Sequence, residues 1–316
     1  MRSFAGKGRR AQMVTTLTSL STLPAAVSGE RFEFDSNAGR LSVYVAGDGP
    51  PMLLVHSINA SASAAEVRPL HEHYRATHTV FSIDLPGYGF SDRSDRPYTP
   101  RLMTDALHAV VAQIQLRCGN VPIDALAVSL SCEYLARAAM EAPAAFRSLA
   151  LVSPTGFSGL RQRRAPLGTT RPVRWLYSLL VGPGPGWSDA LFRGLTRPGV
   201  IRYFLERTWG SKSIDETLWS YDVLTTRCPG AKFAPLHFLS AHLFSADIHT
   251  VYEALNMPVW MSHGVRGDFT DFRGKFIIEN KPNWCFSIFT AGALPYFEVE
   301  TLFNAAFDTF LEQLKV

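Results

Sequence analysis

The stretch Pro122 to Met140, PIDALAVSLSCEYLARAAM, limits what this chain can fold into more than any other. Pro122 to Ser129 is short and mostly apolar with a proline at its start, which is the pattern of a strand buried in a parallel sheet. From Leu130 the apolar spacing becomes helical, with Leu130, Tyr134, Leu135 and Ala138 recurring on one side. Ser129 stands at the junction, flanked by Ala127 and Ser131. A strand that turns straight into a helix at a serine needs small residues two before and two after it. Larger side chains would collide where strand and helix approach, hence the G-x-S-x-G form of a nucleophile elbow. Ala127-x-Ser129-x-Ser131, followed by Cys132, is a loosened version. The other reading is a buried serine that merely starts a helix.

At 316 residues and 47% hydrophobic content the chain can bury a large core, as one domain with an insertion or as two domains. The net charge of +4 comes mainly from arginine. No lysine run or aromatic-basic alternation marks a nucleic-acid groove. Cys118, Cys132, Cys228 and Cys285 are scattered without a C-x-x-C pair, which points to free thiols in a reducing, cytoplasmic setting and to no metal site. Residues 1–29 carry Arg2, Lys7, Arg9 and Arg10, no acid and a Ser/Thr-rich run. That is either a disordered or strand-covering leader or an organelle transit peptide. No run of about 18 apolar residues calls for a membrane span.

Along the chain, Glu30 to Phe34 and Arg40 to Ala46 alternate as two antiparallel strands around Asn37-Ala38-Gly39. Met52 to His56, Thr79 to Leu85, Pro122 to Ser129 and Ser148 to Ser153 read as buried strands, with helices at Ala64 to Tyr74 and Pro100 to Leu116 between them. Strands separated by single helices argue a parallel sheet. The alternation stops between Pro154 and about Asp247, and 155–247 reads as a helical lid. The region holds Trp175 to Val181 and then Gly182-Pro183-Gly184-Pro185-Gly186, after which helical stretches are expected around Val200 to Thr208, Ile214 to Thr226 and Phe233 to Phe244. Strands return at Val259 to His263 and Trp284 to Phe289, and a last helix runs from about Val299 to Leu314. The core is thus expected from 30–154 and 248–316.

In this order, the strand ending in His56-Ser57, the turn Asp84-Leu85-Pro86-Gly87-Tyr88-Gly89-Phe90-Ser91-Asp92, the Ser129 elbow, the helical insertion and His263-Gly264 with a following Asp resemble the alpha/beta-hydrolase superfamily. The resemblance implies an α/β fold with a mostly parallel eight-stranded sheet and a helical lid. It implies Ser129 as nucleophile, with the backbone N–H groups of Leu130 and Ile58 as oxyanion donors. Such donors are worth about 3 to 4 kcal/mol each in known cases. Ser57 replaces the usual glycine of that loop, and His56 reads as a structural histidine. The acid is expected at Asp268, with Asp271 as the other candidate; either residue could instead cap the next helix.

The histidine departs from the pattern. Relatives read approximately G-H-x-P-x-x-E, whereas this chain has Gly292-Ala293-Leu294-Pro295-Tyr296-Phe297-Glu298, and no histidine follows His263. Tyr296 is too weak a base at neutral pH to replace imidazole and is expected as a hydrogen-bond donor. His237, His242 and His249 could be imported from the lid, or else lie on helix surfaces.

Two classes follow. One is an enzyme hydrolysing an ester or thioester of a bulky apolar small molecule through Ser129, with Ser57 and Trp175 among the substrate contacts. The other is a non-hydrolytic descendant, either a lyase, cyclase or isomerase or a ligand-binding protein. Neither requires a cofactor.

Overall fold

The structure is a computed structural model and describes residues 23–182, 184 and 186–314, so most of the expected leader lies outside the described residues. Eight strands form one sheet: β1 (Glu30–Ser36), β2 (Gly39–Ala46), β3 (Pro51–Val55), β4 (Thr79–Asp84), β5 (Ile123–Val128), β6 (Phe146–Val152), β7 (Val259–Gly264) and β8 (Trp284–Phe289). Their order is β1-β2-β4-β3-β5-β6-β7-β8. The β1–β2 and β2–β4 pairs are antiparallel and the rest parallel. The helices are α1 (Arg68–Tyr74), α2 (Pro100–Cys118), α3 (Ser131–Glu141), α4 (Arg174–Val181), α5 (Trp187–Leu195), α6 (Pro198–Trp209), α7 (Glu216–Thr225), α8 (Phe233–Leu239), α9 (Ile248–Glu253), α10 (Pro295–Glu298) and α11 (Glu300–Gln313).

The strand period of two divides the core cleanly. Ala125, Ala127, Leu151 and Met261 face α2, α3 and α9. Leu126, Val128, Val152 and Trp260 face α1 and α11, where Trp260 stacks on Phe307 with centroids 5.1 Å apart. With both faces covered, β3 and β5 are buried along their whole length. A continuous apolar run therefore marks them better than alternation does.

The D-L-P-G-Y-G-F-S-D-R turn owes its specificity to a closed set of bonds around Asp84. The Asp84 carboxylate accepts from Ala64 N–H at 2.9 Å and Phe90 N–H at 3.0 Å. Gly89 sits at φ 48, where a Cβ would lie 1.9 Å from Asp84 Cγ, so only glycine fits. Arg93 reaches out of the turn and donates to the Thr225 carbonyl at 2.9 Å and hydroxyl at 2.8 Å, tying the end of α7 to the sheet.

The expected helix Ala64 to Tyr74 is a short 3-10 turn, Ala64–Val67, followed by α1, because Pro69 has no N–H to continue the ladder. The helix expected to reach Phe244 stops at Leu239. There the Ser240 hydroxyl donates back to the Leu236 carbonyl, and Ala241 adopts φ 60. Helix α5 escaped the sequence because it follows the Gly-Pro run and contains Gly194. The end of the expected leader belongs to the body: Ala26 and Val27 are buried, Ala26 N–H donates to Tyr44 Oη at 3.2 Å, and Tyr221 Oη donates to the Pro24 carbonyl at 2.9 Å.

Candidate active site

Ser129 follows β5 directly and is held at φ 56, in the left-handed region that non-glycine residues avoid. Its N–H continues the ladder to the Val152 carbonyl at 2.8 Å, and its own carbonyl accepts from Cys132 N–H at 3.2 Å. The residue is half-buried, and its hydroxyl has no hydrogen-bond partner among the described residues. Ser131, which stands where the elbow pattern has glycine, donates its hydroxyl to the His56 carbonyl. The loosened elbow is thereby tied to the loop after β3. A Cβ at this φ costs about 1 to 2 kcal/mol. Ser129→Gly is therefore expected to be more stable than Ser129→Ala by about 1 kcal/mol in chemical denaturation. Greater stability of the alanine variant would show that the turn is unstrained.

The loop after β3 is pinned from beneath by a buried acid. Glu66 Oε2 accepts from Ser57 N–H at 2.8 Å, and Glu66 Oε1 accepts from Asn59 Nδ2 at 2.6 Å. Ser57 N–H is thus occupied and its hydroxyl accepts from Asn59 Nδ2 at 3.1 Å, whereas Ile58 and Leu130 N–H have no acceptor among the described residues. His56 Nδ1 donates to the Ser57 carbonyl at 2.6 Å and Nε2 accepts from Leu85 N–H at 3.0 Å. Burial pushes its pKa down to about 4, so it is a neutral structural residue.

Asp222 from α7 lies against the same loop. Its Oδ2 accepts from the Ser61 hydroxyl at 2.9 Å, while Oδ1 is buried with no partner. Burial first, and the nearby Glu66 carboxylate second, raise the Asp222 pKa well above the usual carboxylate range. Glu66 is raised as well, again by burial. The sequence carries no distinct signal for Asp222, because α7 also holds Glu216, Thr217, Ser220 and Thr225.

The structure gives the other expected site residues the following surroundings. Asp268 carries no histidine. Its carboxylate pairs with Arg207 of α6, its side chain is 40% exposed, and its N–H donates to the Arg207 carbonyl at 3.1 Å. Asp271 caps the following turn by accepting from Arg273 N–H at 3.2 Å and also holds Gly159 N–H at 2.9 Å. Tyr296 is fully buried between Phe297 and Phe303, and its hydroxyl donates to the Glu66 carbonyl at 2.9 Å. Its donor is therefore taken, and burial raises its pKa further. Trp175 points outward from α4, 70% exposed.

The last turn of α6 holds the loop after β8. Ala293 N–H donates to the Thr208 carbonyl at 2.9 Å, and a Cβ on Gly292 would lie 2.5 Å from Trp209 Cα. Consecutive carbonyls of α6, those of Arg207 and Thr208, thus hold the Asp268 loop and the Ala293 loop side by side. Ser153, itself at φ 48, donates its hydroxyl to the Ala293 carbonyl at 2.7 Å.

His237, His249 and His263 are buried. His249 accepts from Arg163 N–H at 3.2 Å and donates to the Gly156 carbonyl at 2.7 Å, so neither nitrogen is available. His237 bonds the Phe233 carbonyl at 3.0 Å and packs with Tyr98, Tyr177 and His242. His263, at the carboxyl end of β7, stacks on Phe272 at 4.0 Å. Its Nδ1 bonds the Gly264 carbonyl at 2.9 Å, and its Nε2 is buried without a partner. No histidine among the described residues bonds Ser129.

The sheet order, the Ser129 elbow and the Asp84 turn define the class: the chain has the alpha/beta-hydrolase fold. A sequence model described as alpha/beta hydrolase fold matches residues 50–173. A curated relative, the pimeloyl-[acyl-carrier protein] methyl ester esterase of Xylella fastidiosa (strain 9a5c), is 33% identical over 70 residues. That match covers 22% of this chain and about a quarter of the relative (26%). Among solved structures, a serine hydrolase involved in carbazole degradation superposes with TM-score 0.68 at 14% identity, covering 90% of this chain and 100% of that one. An esterase from Exiguobacterium antarcticum gives TM-score 0.67 at 15% identity over 91% and 100% of the two chains. The enol-lactonase from Burkholderia xenovorans LB400 gives 0.66 at 13% identity over 89% and 100%.

Proposed function

We propose that this chain is an enzyme that binds an apolar carbonyl compound at Ser129 and hydrolyses its ester or thioester bond slowly. The observation that carries this reading is the strained elbow: Ser129 at φ 56, its hydroxyl unpaired, and the Leu130 and Ile58 N–H groups without an acceptor among the described residues. In this reading the two N–H groups take the developing oxyanion and Ser129 stands at the carbonyl carbon. Asp268 would be the remnant of the acid, and 155–247 would cover the site as a lid. The esterase names of the relatives put an ester first among carbonyl substrates. Slow turnover follows from the missing base: without one the Ser129 hydroxyl is a poor nucleophile at neutral pH, and water attacks the carbonyl held on the oxyanion donors.

A second reading, non-hydrolytic chemistry on the same carbonyl site, is favoured by Ala293 standing where the resemblance puts a histidine and by the occupied hydroxyl of Tyr296. Nitrophenyl esters and a fluorophosphonate probe separate the two. Weak turnover above buffer is expected, changed less than about threefold by Ser129→Ala, because oxyanion donors and binding alone leave roughly 10³ to 10⁴-fold over water. Ile58→Pro, which deletes one donor, is expected to lower it at least tenfold. Turnover no faster than buffer favours the non-hydrolytic reading. Brisk turnover and labelling, both abolished by Ser129→Ala, would mean that a histidine reaches Ser129 in solution.

A further inference from the structure

Helices α4 and α5 carry apolar residues that face outward instead of into the core. Trp175 is 70%, Leu179 53% and Trp187 45% exposed, and Val181 is also exposed. Along α5, Trp187, Ala190, Leu191, Gly194 and Leu195 form one stripe at helical spacing, and the same five residues line an open groove of about 350 Å³. The two helices are fixed to one another: Trp187 Nε1 donates to the Leu179 carbonyl at 2.9 Å, and its indole lies against Gly182 so closely that a Cβ there would sit 1.5 Å from it. The apolar face is therefore a set feature of a built hairpin. Contiguous exposed apolar surface of this kind on a soluble body marks an interaction site.

The charge around it selects the partner. Residues 160–197 hold seven arginines, no lysine and one acid, Asp189, whose carboxylate is paired with Lys232 at 2.8 Å. Arg161, Arg174, Arg193 and Arg197 are exposed and form no ion pair among the described residues. A second copy of this chain would bring the same positive charge against itself. Exposed tryptophans and leucines on short amphipathic helices, rimmed by unpaired arginines, match the boundary between lipid headgroups and acyl chains.

We infer that the α4–α5 hairpin docks this protein on an anionic lipid surface, with Trp175, Leu179 and Trp187 entering the headgroup boundary and Arg174, Arg193 and Arg197 contacting anionic headgroups. The docking is independent of the chemistry at Ser129. It requires no movement of the sheet.

The test is co-sedimentation of the full-length protein with vesicles of phosphatidylcholine alone and with one part in three phosphatidylglycerol, at low and high salt. Preferential binding to the anionic vesicles, weakened by salt, is expected. Each arginine near such a surface contributes about fivefold to the partition coefficient, so Arg174→Glu/Arg193→Glu is expected to reduce binding more than tenfold. Trp175→Ser/Leu179→Ser, both on the outer face of α4, is expected to reduce it several-fold while leaving the thermal midpoint unchanged. Quenching of tryptophan emission by brominated lipid should fall with it. Absence of binding to either vesicle overturns the inference. So does binding that survives both double variants, which would place the contact elsewhere, for example at Arg2, Lys7, Arg9 and Arg10. Concentration-dependent dimerisation lost in the same variants would make a second copy the occupant and would equally overturn it.

Discussion

Ala293→His alone is expected to leave nitrophenyl acetate turnover within about threefold of wild type, whereas Ala293→His with Arg207→Gln is expected to raise it at least a hundredfold. A positioned general base is worth about 10² to 10⁴ in rate, so the full effect is large where the base is assembled. A triad histidine also needs an acid behind it to orient the ring and stabilise its charge. Asp268 is held by the Arg207 guanidinium, and releasing it is the purpose of the second substitution. Position 293 is itself buried, its N–H bonded to Thr208 and its carbonyl to Ser153, so the new ring must also displace its neighbours. Tyr296→His is expected to fail for a different reason: it removes a buried phenol that bonds the Glu66 carbonyl beneath the β3 loop. The rates are read with folding checked by circular dichroism and in a Ser129→Ala background, where any gain must vanish. Full restoration by Ala293→His alone would show that the Arg207–Asp268 pair yields readily to an imidazole.

The second large effect is on stability against pH. Asp222 is buried, one carboxyl oxygen lacks a partner, and its pKa is raised by burial and by Glu66. In the folded protein it keeps its proton to a higher pH than in the unfolded chain, where it ionises near pH 4. The folded state therefore binds more protons above that point. Its contribution is complete below about pH 4 and is lost as pH rises through the raised folded value, at a slope of about 1.4 kcal/mol per pH unit. Asp222→Asn keeps an acceptor for the Ser61 hydroxyl and cannot ionise. Relative to wild type it is expected to gain stability as pH rises above about 4. Parallel melting curves across that range would mean that water reaches Asp222 and its carboxyl titrates normally.

The elements that set the frame were legible because their signals are local. The apolar run before Ser129 and the helical spacing after it mark β5 and α3; the observed Ile123–Val128 lies inside the stretch Pro122 to Met140, and Ser131–Glu141 ends one residue beyond it. The turn after β4 was legible for the same reason, since Gly89 and Asp84 are five residues apart and one excludes a side chain that would strike the other. Helix α5 was not legible, because glycines break its pattern and its apolar stripe meets solvent instead of core.

By itself the sequence determined the succession of strands and helices along the chain and the strand-to-helix turn at Ser129. These follow from spacing and from residue identity. Only the tertiary structure decided what the remaining polar groups do. Asp268 is bound by an arginine 61 residues away, Tyr296 by a carbonyl 230 residues away, and Asp222 comes to the β3 loop from 161 residues beyond Ser61. A carboxylate or a phenol in a sequence has no preferred partner. Burial forces it to find one, and which donor or acceptor lies within about 3 Å depends on how helices α6, α7 and α10 settle on the sheet.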